Sequence, residues 1–186
     1  RQMQGKLDIV ITDHHLPGNE LPSAAAVVNP HRLDCPYPFK DLAGVGVAFK
    51  LCQALWKILR HAEFVDLLEL VALGTVADIV PLLDENRKIV KEGLLAMQSS
   101  TVPGCRMLLE AAGIGNKDLT AGDIGFVLAP RLNAAGRIGH AKQGVELLLS
   151  DNVSTAQSLA EALNEKNADR QLLEHDILSL VEQKVK

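Results

Sequence analysis

The segment that most narrows the fold is Leu7-Asp8-Ile9-Val10-Ile11-Thr12, a short β-branched run without strict polar alternation that ends abruptly in Asp13-His14-His15. Alternation marks a strand with one wet face. A run lacking it is expected of a strand covered on both faces, as in parallel sheets flanked by helices. A second short strand is expected at Ala26-Val27-Val28-Asn29, closed by Pro30, which cannot donate to a ladder. The composition, 47% hydrophobic but only 3% aromatic, suits helices on a parallel sheet better than an aromatic-rich sandwich or barrel. The expected class is α/β in a helix-rich form, and 186 residues suffice for one substantial core with an appendage.

Between about Asp41 and Arg60, the residues Val45, Phe49, Cys52, Leu55, Trp56 and Leu59 recur at spacings of three and four, the period of a helix. Further helices are expected around Phe64 to Thr75, Glu85 to Met97, Pro103 to Ala112, Asp123 to Ala129 and Gly144 to Leu149. The block Cys35-Pro36-Tyr37-Pro38-Phe39 is turn-rich. From about Ser154 onward Ala156, Leu159, Leu163, Leu172, Leu173, Ile177, Leu180 and Val181 form a long amphipathic stretch without Gly or Pro. It far exceeds the usual ~11 residues of a helix, so the expected organisation is a body over residues 1–150 and a linking helix over 151–186 that reaches toward another domain. The chain starts at Arg1 rather than Met and stops within a helical pattern, which gives the expectation of a piece of a longer protein.

A formal net charge of -4 leaves no global basic footprint, so any contact with phosphate must come from a local cluster or a metal. Cys35, Cys52 and Cys105 fall in no zinc spacing and read as reduced thiols of a cytoplasmic protein. No apolar run reaches membrane-spanning length and the first residues lack a secretory apolar stretch, so membrane and export readings drop out.

Three constellations carry chemistry. Asp13-His14-His15 follows an apolar strand, and ligands of open α/β sheets gather at the carboxyl ends of strands. Two imidazoles and a carboxylate there can hold a divalent metal; a polar turn whose Asp caps the next segment is the other reading. Asp78 is a lone carboxylate within the apolar run Val71 to Leu82. Burial of an unpaired charge is costly, so a metal shared with the histidines would serve it, while a helix cap or turn explains it equally. Pro130-Arg131-Leu132-Asn133-Ala134-Ala135-Gly136-Arg137-Ile138-Gly139-His140 offers guanidinium groups, an amide and small residues that expose backbone N–H groups, either as a phosphate cradle or as a solvated loop.

Ile11 to His15, Val28-Asn29-Pro30-His31, Cys35 to Lys40, Leu42 to Leu51, Ala72 to Leu82 and Pro130 to Arg137 stand in the order seen in RecJ-type single-strand-specific exonucleases of the DHH phosphoesterase family. The chain resembles part of that family's catalytic core over most of its length. The longer blocks separate it from oligoribonucleotide and cyclic-dinucleotide phosphodiesterases and from manganese pyrophosphatases. By this resemblance His14 corresponds to a direct metal ligand, His15 to the residue facing the substrate phosphate, and Asp13 to a carboxylate that orients a neighbouring imidazole. Asp78 corresponds to the acidic residue completing the same metal site, and Arg131, Asn133 and Arg137 to the substrate-backbone segment. The blocks at Cys35 to Phe39 and Gly44 to Gly46 receive no catalytic role; their glycines permit close packing or a tight helix start.

The resemblance implies a 5′ to 3′ DNA exonuclease of recombination and repair. Its substrate is single-stranded DNA and it has two Mn²⁺ or Mg²⁺ ions about 3.5–4 Å apart that activate water for in-line attack. Imidazole among the ligands favours Mn²⁺, since Mg²⁺ prefers oxygen. Repair and recombination proteins are implied as partners. The family's upstream Asp-x-Asp motif and bridging Asp, and its Gly-rich C-terminal nucleic-acid-binding domain, have no counterpart in the sequence, so residues 1–186 alone are expected to be inactive. The rivals are a DHH phosphodiesterase of short oligonucleotides and a non-catalytic nucleic-acid-binding module.

Overall fold

In the computed structural model, which describes residues 7–137 and 142–185, the run before Asp13 forms strand β1 (Val10–Thr12) and its partner is β2 (Ala26–Val28). They pair in parallel with Val10 opposite Ala26, Ile11 opposite Val27 and Thr12 opposite Val28. Two further backbone bonds extend the ladder, Ala25 N–H to Ile9 O at 2.8 Å and Asp13 N–H to Val28 O at 3.0 Å. The second pins Asp13 to the carboxyl end of the pair. Covering on both faces is not supplied by the described residues: Val10 is 55% exposed, with helix α1 (Gly44–Arg60) packed near β1.

Residues up to Gly93 make one compact unit and those from Leu94 a second. In the first, α1 and α2 (Leu68–Ala77) pack with the start of α3 (Asp84–Gln98) around Leu42, Val47, Phe49, Val71 and Ile89. Tyr37 and Phe39 of the turn-rich block close this core. The Tyr37 hydroxyl donates to Glu85 Oε1 at 2.7 Å, and Lys50 Nζ lies 2.6 Å from Glu85 Oε2. Burial, then the neighbouring carboxylate, pushes the Tyr37 hydroxyl well above its ordinary range. Only the first part of the expected apolar face of α1 is buried: Phe49 is in the core, whereas Leu55, Trp56 and Leu59 are exposed.

The second unit holds α4 (Pro103–Ala111), α5 (Ala121–Asp123), α6 (Ala129–Arg137), α7 (Lys142–Leu149) and α8 (Val153–Val185). Asn152 caps α8 by accepting from Thr155 N–H at 3.0 Å. The first half of α8 packs on α4, α6 and α7 through the fully buried Ala156, Ala160 and Leu163, one stripe at spacings of four and three. Beyond it, Leu172, Leu173, Ile177, Leu178, Leu180 and Val181 are each more than half exposed. Among the described residues no helix is long and apolar enough to cross a membrane.

The segment from Pro130 differs from expectation. It forms helix α6 rather than a loop, continuous with α5 through a π-helical turn at Ile124–Leu128. The proline explains the turn: its ring crowds the carbonyl four residues back, and the wider π-turn, in which Ala129 N–H reaches Ile124 O, makes room there.

Candidate metal centre

The first unit brings two of the anticipated residues together. His14 leaves the end of β1, and Asp78 is the C-cap of α2. Although the two are far apart in sequence, His14 Nε2 lies 3.2 Å from Asp78 Oδ2. His14 is the more enclosed, with a side chain 18% exposed against 38% for Asp78. Contrary to expectation, Asp78 is not a buried charge. Upstream, Val71, Ala72, Leu73 and Thr75 are buried because α2 is a core helix, but Asp78 itself sits at the open end of that helix and is followed by the exposed Ile79. A cation there would answer a different cost: the last carbonyls of a helix already concentrate negative charge, and the last turn of α2 carries no basic residue.

Asp13 organises the triplet from within. Its Oδ1 accepts from the backbone N–H of His14 at 2.7 Å and of His15 at 3.2 Å, and lies 2.8 Å from His15 Nδ1. A carboxylate can only accept, so Nδ1 of His15 carries the proton in this contact. The Asp13 carboxyl is held below its ordinary range, chiefly by the bond from the His15 ring. The turn-capping and imidazole-orienting readings of Asp13 thus describe one geometry, and the imidazole it orients is that of His15. The His14 and His15 rings lie with centroids 4.3 Å apart, tilted by 49°.

Two contributors lay outside the sequence-based assignment. Asn29, only 3% exposed, donates from Nδ2 to His15 O at 2.8 Å and accepts at Oδ1 from His31 N–H at 2.9 Å, tying the end of β2 to the triplet. Its signal was a polar residue directly before the proline that closes an apolar strand. Gly44, the first residue of α1, lies against the His14 ring: a Cβ there would meet His14 Cδ2 at 3.3 Å.

The donor set fits a divalent ion. Two ligands on adjacent corners of an octahedron with bonds of ~2.1 Å stand about 3.0 Å apart, close to the observed 3.2 Å. One imidazole and one carboxylate suit Mn²⁺ better than Mg²⁺. Among the described residues no group of three or more His, Cys, Asp or Glu is placed to hold a metal, so with an ion bound these two would supply only part of a coordination shell.

In the second unit, Arg131 is committed internally. Its Nε donates to Asn164 Oδ1 at 2.9 Å and its Nη1 to Val127 O at 2.6 Å, bracing α6 against α8. Desolvation holds its pKa below the ordinary guanidinium value. Asn133 is exposed on α6, and the side chain of Arg137 lies outside the described residues. Because the segment is helical, the interior N–H groups expected to cradle phosphate are spent on the helix itself.

Residues 1–75 match the DHH family, N-terminal domain. The chain is 46% identical over 180 residues to the single-stranded-DNA-specific exonuclease RecJ of Escherichia coli, covering 90% of this chain and 31% of that protein. It is 39% identical over 176 residues to RecJ of Thermus thermophilus, covering 95% and 26%. Among solved structures, RecJ of Thermus thermophilus in complex with Mn²⁺ superposes with a TM-score of 0.83 at 37% identity, over 96% of this chain and 26% of that one. An exonuclease RecJ bound to manganese superposes with a TM-score of 0.84 at 39% identity, over 98% and 46%. The chain therefore spans less than half of each of these proteins.

Proposed function

This chain belongs to the DHH family, and on that premise we propose that it is a segment of a metal-dependent exonuclease that hydrolyses the phosphodiester bonds of single-stranded DNA in the 5′ to 3′ direction. One observation carries the reading: His14 Nε2 and Asp78 Oδ2 converge to 3.2 Å from the end of a strand and the end of a helix. In it, His14 and Asp78 hold one divalent ion, Mn²⁺ or Mg²⁺, within a two-ion site whose remaining ligands come from outside residues 7–137 and 142–185. Such ions, when bound, lower the pKa of the attacking water and stabilise the entering and leaving oxygens. Asp13 keeps the His15 ring in one orientation, so that this largely exposed imidazole meets the scissile phosphate without first having to be ordered. Asn29 holds the His15 backbone in place beneath it. Asn133 and Arg137 contact the substrate backbone, and Arg131 supports the helix that presents them.

The same reading assigns residues 1–150 to the catalytic core and 151–186 to a helix leading toward a further domain, and puts the work in recombination and repair in the cytoplasm. Its support is the order of the motif blocks and the likeness to enzymes named for single-stranded DNA. The test is Mn²⁺ binding and degradation of a long single strand by the full-length protein and its His14→Ala and Asp78→Ala variants. Loss of both properties in both variants is expected. Unchanged Mn²⁺ binding would favour a non-catalytic module. Cleavage of dinucleotides but not long strands would favour a phosphodiesterase of short oligonucleotides.

A further inference from the structure

Gly44 opens α1, whose N-cap, Ala43, is extended and offers no side-chain cap. A glycine there needs a reason. Within helices it costs roughly 0.8–1.0 kcal/mol relative to alanine, and the backbone does not require it: Gly113 alone among the described glycines has a positive φ. What Gly44 has is a neighbour. A Cβ at this position would stand 3.3 Å from His14 Cδ2 and 3.8 Å from His14 Nε2, so the ring would have to give by a few tenths of an ångström. The ring has little room to do so, because Asp78 Oδ2 lies 3.2 Å from its Nε2 and the His15 ring centroid lies 4.3 Å from its own.

We propose that Gly44 is a positioning residue for the metal site: its missing side chain sets the place of the His14 imidazole relative to Asp78. The inference rests on the reading of His14 as a metal ligand. An imidazole pushed toward or past Asp78 no longer presents Nε2 at the spacing that two ligands of one ion require, and metal affinity is sensitive to such outer contacts at the level of roughly 10–100-fold. A glycine serving only the helix makes the opposite prediction, since alanine at this position would then stabilise α1 and leave the metal alone.

Gly46 supplies the control. A Cβ there also meets a side-chain carbon at 3.3 Å, but that carbon is Leu42 Cδ2, in the core rather than the site. The experiment titrates Mn²⁺ into metal-free full-length protein and follows thermal unfolding of the same metal-free samples, for wild type, Gly44→Ala, Gly44→Val, Gly46→Ala and His14→Ala. Expected for Gly44→Ala is a melting temperature at or above wild type with Mn²⁺ affinity lowered about 10-fold, and a larger loss for Gly44→Val. Gly46→Ala should bind Mn²⁺ as wild type does, and His14→Ala should lose the site. Wild-type affinity in Gly44→Ala beside a lost site in His14→Ala overturns the positioning role alone, and so does a Gly44→Ala protein that melts early. Wild-type affinity in His14→Ala overturns the metal-ligand reading itself.

Discussion

At Asp78 a carboxylate stands at the negative end of a helix, an arrangement that lowers stability and that a bound cation would offset. Neutralising it in Asp78→Asn should therefore raise the stability of the metal-free protein by about 0.3–1 kcal/mol while removing the gain in melting temperature that Mn²⁺ gives wild type. Thermal scans with and without the ion read both effects. The next residue carries a second local cost: Ile79 is β-branched, has φ 59° and is 90% exposed. The left-handed region costs an L-residue about 1–2 kcal/mol, partly offset on replacement by the greater chain entropy of glycine. Ile79→Gly should be neutral or stabilising by up to about 1 kcal/mol, checked by denaturant unfolding. Both costs fall beside the His14 contact, where a site displaces the chain from its local optimum.

Among the elements, α5 and α6 hang on two polar devices. Thr120 Oγ1 accepts from Asp123 N–H while Asp123 Oδ2 accepts from Thr120 N–H at 2.9 Å, a reciprocal cap that Lys117 joins at 2.6 Å from Oδ1. The lysine contact, followed by the threonine bonds, holds the Asp123 carboxyl below its ordinary range. A carboxyl depressed in the folded state contributes stability that is present above its unfolded pKa of about 3.9 and is lost as pH falls through the lower folded value. Asp123→Asn should therefore flatten the acid limb of the stability–pH curve, measured by urea unfolding between neutral and strongly acid pH. The second device is Arg131. Removing its bonds to Asn164 and Val127 in Arg131→Ala should cost about 1–3 kcal/mol, seen as a lower denaturant midpoint. A purely solvated arginine would cost next to nothing.

On the scale of the whole molecule, the proposed exonuclease has measurable consequences in the full-length protein. For every phosphate of single-stranded DNA that a variant no longer neutralises, the log–log salt slope of binding should fall by about 0.7. Arg137→Ala is expected to show that change. Arg131→Ala is expected to show its main effect in stability, because two of its nitrogens are already engaged within the second unit. Residues 1–186 on their own should not degrade single-stranded DNA with Mn²⁺, since among the described residues His14 and Asp78 complete only part of a shell. Activity in that segment, abolished by His14→Ala, would show that the ligands supplied elsewhere are dispensable.

Local pattern was enough to place most elements. Three- and four-residue periodicity located α1 within a few residues, the helices expected at Glu85 to Met97 and Pro103 to Ala112 match α3 and α4, and the strand followed by Asp13-His14-His15 marked the candidate site, because period and strand ends are properties of neighbouring residues. Where side chains from distant segments meet was decided only by the tertiary structure. Position 78 was visible as a carboxylate, but its exposure at the end of α2 and its approach to His14 depend on how α2 is seated. Gly44 looked like a helix start and proved to be the wall behind an imidazole. The segment from Pro130 looked like a cradle of small residues and became a helix, because a π-turn absorbed the proline and Arg131 found its partner thirty-three residues away in Asn164. Sequence proximity carries propensity and period; it carries no record of which surface a side chain will face once helices have packed.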